Sequence, residues 1–296
     1  MGKKLIFVLV GVALLCNAQE AAAYDLQNAR ALSLGGASRA YCPSNGALYL
    51  NPAGIAIARL YHVETMYGYI PTAHSHIAGA SVIDSVTAPV AMGLSFNYVA
   101  WDPNGVDRNE YDVRLSAAYY ISRLLAIGLS LKYVYADQDG HGPLATNLFV
   151  SNGEEQLNTV TVDVGTTLTI GQYFAIAVVG YNLTNTESTH APLSLGAGLA
   201  LTISSFVVAA DMLVDFTSAD DVMFRAMGGA EYLISDNWPI RLGYRWDQLM
   251  GTHSVTGGFG YISQRFGVEL SIRQDVSSPD DHLHTQLVLS LRYFAN

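Results

Sequence analysis

The sequence predicts an all-β chain folded as a transmembrane antiparallel β-barrel of about fourteen strands, and three observations carry that expectation. The first is a conflict in composition. Half of the 296 residues are hydrophobic and only 14% are charged, well below the roughly one quarter usual in soluble domains. Yet beyond the first 23 residues no apolar run approaches the 18 or so that a membrane helix requires. The second is alternation of apolar and polar residues over segments of roughly ten, the length a tilted membrane strand needs, where averaged hydropathy misses the apolar face. The third is an alternation of tight and longer connections along the chain. Eighteen tyrosines and 27 glycines suit the aromatic girdles and tight turns of such a barrel.

Taken in chain order, Lys3 and Lys4 precede an apolar run from Leu5 to Leu15 and then small residues ending at Ala21, Ala22 and Ala23. A basic start, a short greasy stretch and an A-x-A-like site make residues 1–23 a signal peptide, with cleavage expected before Tyr24. The run falls short of the roughly 20 residues of an anchor helix. Cys16 invites lipidation, but Leu15 stands where a lipoprotein signal carries a small residue. Removing this stretch takes away two lysines and one glutamate, so the formal charge moves from −10 to −11, with 13 basic against 24 acidic residues. Cys42 is then the sole cysteine, which excludes an intrachain disulfide and a Cys-based zinc site. The acidic balance and the lack of any basic cluster argue against nucleic acid as a partner.

Residues 24–61 contain Ala31-Leu32-Ser33-Leu34-Gly35-Gly36-Ala37 and Ala47-Leu48-Tyr49-Leu50-Asn51-Pro52-Ala53-Gly54-Ile55. Pro52 restricts Asn51 to extended or turn geometry, Asn51 can bond neighbouring backbone, and Gly54 permits a positive φ, so the stretch reads as a rigid corner. The pair "GGA" followed by "ALYxNPAG" resembles the amino-terminal segment of the FadL-type outer-membrane proteins. These include long-chain fatty-acid and aromatic-hydrocarbon channels and, more distantly, the PorV and PorQ proteins of type IX secretion. The close match covers about 30 residues. The resemblance implies that residues 24–61 fold into the lumen as a plug, with Gly35, Gly36, Asn51, Pro52, Ala53 and Gly54 as its motif, and that residues 62–296 form the barrel. A plain periplasmic entry turn is the simpler alternative. The resemblance also implies a bacterial outer-membrane location, outer-membrane lipid and assembly machinery as partners, and passive passage of a hydrophobic or small solute. A non-transport barrel serving as a secretion partner or scaffold is the other function it allows. Two departures count against simple transfer: the chain is short for a fatty-acid channel, and its longest loop, 137–158, offers only Leu144, Leu148, Phe149 and Val150 as apolar surface.

Strands are expected at 63–70, 75–83, 90–99, 111–121, 125–136, 159–170, 174–183, 193–203, 206–216, 224–234, 240–246, 255–262, 266–274 and 286–294. The second and seventh are weakly patterned, so twelve strands stays open. In the clearest segment Val160, Val162, Val164, Thr166, Leu168 and Ile170 alternate with Thr161, Asp163, Gly165, Thr167 and Thr169. Periodicity alone would also allow a soluble sandwich, but charge placement separates the two, since Arg or Lys at a bilayer midplane costs roughly 2–4 kcal/mol. Arg114, Lys132, Asp163, Asp211, Asp215, Arg225, Glu231, Arg241, Arg245, Glu269, Arg273 and Arg292 all fall on the polar face and are expected to face the lumen. Asp211 and Asp215 neighbour Arg225 on the next strand, Glu231 neighbours Arg241, and Glu269, with Arg273 on its own strand, neighbours Arg292, so that cross-strand ion pairs are expected to brace the wall or form a selective constriction.

Connections at 121–124, 171–173, 204–205, 235–239 and 263–265 are tight, whereas 100–110, 137–158, 184–192, 247–254 and 275–285 are longer and polar. Short periplasmic turns and longer external loops put both termini in the periplasm, and only the first hairpin fits this phase poorly. The chain stops at Leu287, Leu289, Leu291 and Tyr293, an alternating strand like the C-terminal signal read by outer-membrane assembly machinery. No G-x-S-x-G elbow, phosphate loop or H-E-x-x-H occurs, so neither catalysis nor a cofactor is expected. His74 with His76, or His282 with His284 beside Asp280 and Asp281, have a spacing that could hold a metal, but solvated loop histidines are the expected reading.

Overall fold

A computed structural model describes residues 26–57, 61–101, 108–138, 156–186, 188–279 and 283–295. The signal peptide with its cleavage site, the loop residues Leu144, Leu148, Phe149 and Val150, and the acidic pair Asp280 and Asp281 with His282 lie outside them. Fourteen strands are present among the described residues: β1 (Tyr61–Ile70), β2 (Ser75–Asp84), β3 (Ala91–Trp101), β4 (Arg108–Tyr120), β5 (Leu125–Gln138), β6 (Gln156–Ile170), β7 (Phe174–Tyr181), β8 (Ser194–Ile203), β9 (Phe206–Asp215), β10 (Met223–Ile234), β11 (Trp238–Asp247), β12 (Thr252–Ile262), β13 (Phe266–Ser277) and β14 (Thr285–Ala295). Each pairs antiparallel with its sequence neighbours, and β1 closes the barrel against β14, from Tyr61 opposite Ala295 to Tyr69 opposite Leu287. Closure satisfies every backbone edge, which a sheet in hydrocarbon must achieve.

Both weakly patterned strands form, and for β7 the reason for the weak pattern is visible. The inward residues Ala175, Ala177 and Val179 of β7 are apolar and buried, the two alanines in one cluster with Ala37 and Ala40. A strand with small or apolar residues on both faces carries no alternation for sequence to reveal.

Elsewhere the two faces differ sharply. On β13, Leu270 and Ile272 are 41% and 43% exposed, whereas Ser271 between them is 2% exposed. The outward face is a continuous belt of exposed aliphatic residues, suited to lipid. Aromatic residues gather at its two rims. Trp238 and Tyr261 lie 4.8 Å apart, with Phe266 next to Tyr261, toward the tight-turn end, and Tyr98 and Tyr111 lie 5.0 Å apart toward the other. No described helix is long and apolar enough to cross a membrane.

Residues 26–57 precede β1 and are almost wholly buried. They form two short helices, α1 (Ala29–Ser33) and α2 (Ala47–Leu50), and a 3-10 turn over Pro52–Ala56. These pieces lie against the inward faces of the strands: α1 against β11 to β14, α2 against β3, and the 3-10 turn against β3 to β6.

Candidate functional site: the lumen

The segment 26–57 is held first by shape. At Gly35 and Gly36 the backbone turns with φ of 70° and 94°, the left-handed region that glycine enters without strain. That turn presses Leu34 onto inward-facing glycines of β10 and β11, Gly229 and Gly243, which sit directly opposite each other. A Cβ on Gly229 would lie 2.7 Å from the Leu34 Cα, and one on Gly258 of β12 would lie 2.5 Å from the Ser33 Cβ. A second seat lies across the lumen, where a Cβ on Gly128 of β5 would stand 2.7 Å from the Ala53 Cα. Gly54 departs from expectation: its φ is not positive, because it sits inside the 3-10 turn, and its space is limited by Ala47 at 3.1 Å.

Polar bonds then fix orientation. Asn28 accepts from the Ala31 N–H at 3.1 Å, capping α1, and its amide donates to Glu64 of β1 at 2.9 Å. Asn51 accepts from the Ala53 N–H at 3.0 Å and donates to Thr167 of β6 and to the Arg39 carbonyl, both at 2.8 Å. Pro52 stands at the first position of the 3-10 turn, where its missing N–H costs nothing. Tyr49 donates to Asn97 of β3 at 3.0 Å, and Thr256 of β12 to the Ser33 carbonyl at 3.0 Å.

Two arginines of the segment carry the strongest attachments. Arg30 meets Glu231 of β10 at 3.2 Å. Arg39 meets Asp211 of β9 at 3.1 Å, and the same carboxylate oxygen accepts the Ser38 and Arg39 backbone N–H groups at 2.9 and 2.8 Å. Neither arginine was singled out in the sequence. They flank the Gly35-Gly36 turn in a stretch otherwise free of charge, and that isolation was the available signal. The inward glycines were also legible only as turn or flexibility markers.

The inward charges form paired groups, with partners that differ in part from those expected. Arg114 on β4 meets its own strand neighbour Asp112 at 2.7 Å and donates to the Tyr49 carbonyl at 3.3 Å. Lys132 on β5 meets Asp163 on β6 at 2.9 Å. Glu231 contacts Arg241, as the register suggested, and Arg241 reaches Glu269 at 2.6 Å. Glu269 also contacts Arg292. Arg225 was expected on Asp211 and Asp215. It pairs with Asp247 at 2.7 Å, and Arg245 reaches the same carboxylate at 2.8 Å. Asp211 is taken by Arg39 instead, and Asp215, near the strand end, accepts the Thr217 and Ser218 N–H groups at 3.0 Å. The cause is register: Met227, not Arg225, faces Asp211 on the neighbouring strand. Arg273 lines a small cavity with Arg245, Asp247, Asp275 and His284. His76 is exposed against Tyr67 at 2.7 Å, and no group of three metal-ligating residues occurs among the described residues.

Above the segment, at the end that bears the longer connections, lies a cavity of about 130 Å³. Its walls come from the loop-side halves of β4, β5, β8 and β9, the end of β7 and the segment, including Tyr49, Leu50, Arg114, Lys132 and Tyr181.

No family model and no curated protein matches the sequence. Solved structures do. The toluene transporter TbuX of Ralstonia pickettii superposes with a TM-score of 0.72 at 13% identity, covering 92% of this chain and 99% of its own. The monoaromatic hydrocarbon channel CymD gives 0.68 at 16%, covering 91% and 97%. A Pseudomonas aeruginosa FadL homologue gives 0.67 at 10%, covering 90% and 98%. The fold is that of the FadL-type channels.

Within this barrel the wall is uneven beside the cavity. β6 has 15 residues and β7 only 8, and their ladder ends at Val164 opposite Gly180. The loop-side part of β6 therefore faces the β7–β8 connection on that flank. The connection is fastened by the Asn182 N–H to Asp163 at 2.8 Å, the Leu183 N–H to the Val162 carbonyl at 2.9 Å, and the hydroxyls of Thr184 and Thr161 at 2.9 Å. Asn182 turns through φ of 53° and its amide donates to the Pro192 carbonyl at 2.7 Å.

Proposed function

We propose that the chain is a passive channel of the bacterial outer membrane for small hydrophobic solutes, in which residues 26–57 plug the axial route and passage leaves through the wall at β6 and β7. The observation that carries this reading is the end of the β6–β7 ladder beside the cavity, where a strap fastened to β6 by bonds made mainly through side chains replaces a strand. Each such bond contributes about 1 kcal/mol, so the strap opens far more readily than a paired strand. The tight turns and both termini then face the periplasm, the longer connections face outward, and the apolar belt meets outer-membrane lipid. The structural neighbours described as toluene and monoaromatic hydrocarbon channels point to the same solute class.

The test locks the strap. In a chain with Cys42 replaced by Ser, the pair Thr161→Cys and Thr184→Cys joins positions whose hydroxyls are 2.9 Å apart. Cells making this variant should take up labelled toluene at the rate of cells without the protein after oxidation, and recover uptake on reduction. Uptake that is unaffected by oxidation removes the wall route. No uptake by the intact protein favours the scaffold reading.

A further inference from the structure

The cavity above the segment is small, polar and balanced in charge, and these three properties together narrow its occupant. Its volume of about 130 Å³ is close to that of an engineered cavity of about 150 Å³ that takes a single benzene ring.

Three cations reach its wall, each matched by a carboxylate, and Glu110 and His190, 3.4 Å apart, complete its charged lining. Arg39 meets Asp211 at 3.1 Å, Arg114 meets Asp112 at 2.7 Å, and Lys132 meets Asp163 at 2.9 Å. Asp163 also lies 3.8 Å from Arg114. The wall therefore offers many hydrogen-bonding atoms and little net charge. Between these pairs stand Leu26, Leu50, Val134 and Leu213, which give a ring apolar contact.

A pure hydrocarbon entering such a space displaces water from buried polar groups and returns no hydrogen bond, a loss that water-excluded polar sites do not recover. A carboxylate solute must be stripped of water against a wall with no surplus cation. A neutral ring with one hydroxyl or carbonyl replaces the displaced water and keeps the apolar contact. We infer that the cavity is a binding site for neutral, hydrogen-bonding single-ring aromatics of the phenol type, in preference to hydrocarbons or aromatic acids. This rests on the channel reading for its role in passage, but binding itself can be measured apart from flux.

The experiment compares p-cresol, toluene and p-toluate, which share one ring and one methyl group, for binding to the protein in lipid nanodiscs, with protein-free nanodiscs as the blank. p-Cresol should bind at least tenfold more tightly than either of the others. Asp112→Asn, which gives Arg114 one charged partner fewer, should raise p-toluate affinity at least fivefold. Val134→Trp, which fills the cavity without changing charge, should abolish p-cresol binding and decides the matter if the first variant does not assemble. Toluene binding as tightly as p-cresol, or p-cresol binding that survives Val134→Trp, overturns the inference. If p-cresol binds as described but no solute is taken up by cells, the site stands and the channel reading falls.

Discussion

Asp211 gathers three of the bonds between segment and wall. One of its carboxylate oxygens accepts two backbone N–H groups and the Arg39 guanidinium within 2.8 to 3.1 Å. Removing one partner of a buried, hydrogen-bonded charge pair costs roughly 3–5 kcal/mol, because the remaining charge stays buried without compensation. Asp211→Asn should therefore loosen the segment without touching the wall ladder. Cys42 reports on this. It is buried in the segment, and burial pushes its thiol up from the ordinary range, so at neutral pH it is a protonated and unreactive thiol. Maleimide should label Cys42 slowly in the native barrel and at least tenfold faster in Asp211→Asn; equal rates would mean that Asp211 does not hold the segment.

The strands divide into those that the sequence displays and those that it hides. β6, β8 and β13 alternate cleanly because one face meets lipid and the other a polar lumen. β7 does not, because its inward face packs on Ala37 and Ala40 of the segment, an apolar surface that cannot be anticipated without knowing that the segment lies there. The same hidden partner explains the pairings that were missed: Asp211 and Glu231 look toward Arg39 and Arg30, which are some 170 to 200 positions away in sequence. It also explains Gly229, Gly243 and Gly258, whose meaning is the close approach of Leu34 and Ser33. Gly243→Val should leave the barrel closed, shown by an unchanged shift in gel mobility on heating, while raising Cys42 labelling. Unchanged labelling would mean that the seat is not needed. On the opposite face, Leu270 is 41% exposed toward lipid, and Leu270→Arg adds a cost of roughly 2–4 kcal/mol at mid-membrane depth. That variant should fail to reach the heat-resistant form, whereas Leu270→Phe should reach it.

At the scale of the whole molecule the barrel and the segment contribute separately. The wall is closed by fourteen interstrand ladders that do not involve residues 26–57, so the barrel has no structural need of the segment for its edges. In the proposed reading the segment plugs the lumen below the cavity, and the interrupted β6–β7 wall is the remaining way out. Planar-bilayer conductance of a variant lacking residues 26–51, set beside that of the intact protein, tests this division most directly. The account predicts small, quiet conductance for the intact protein and a larger, noisier one for the deletion, with Asn51→Ala changing it in the same direction more weakly. A deletion variant that assembles as a heat-modifiable barrel yet conducts like the intact protein would contradict it.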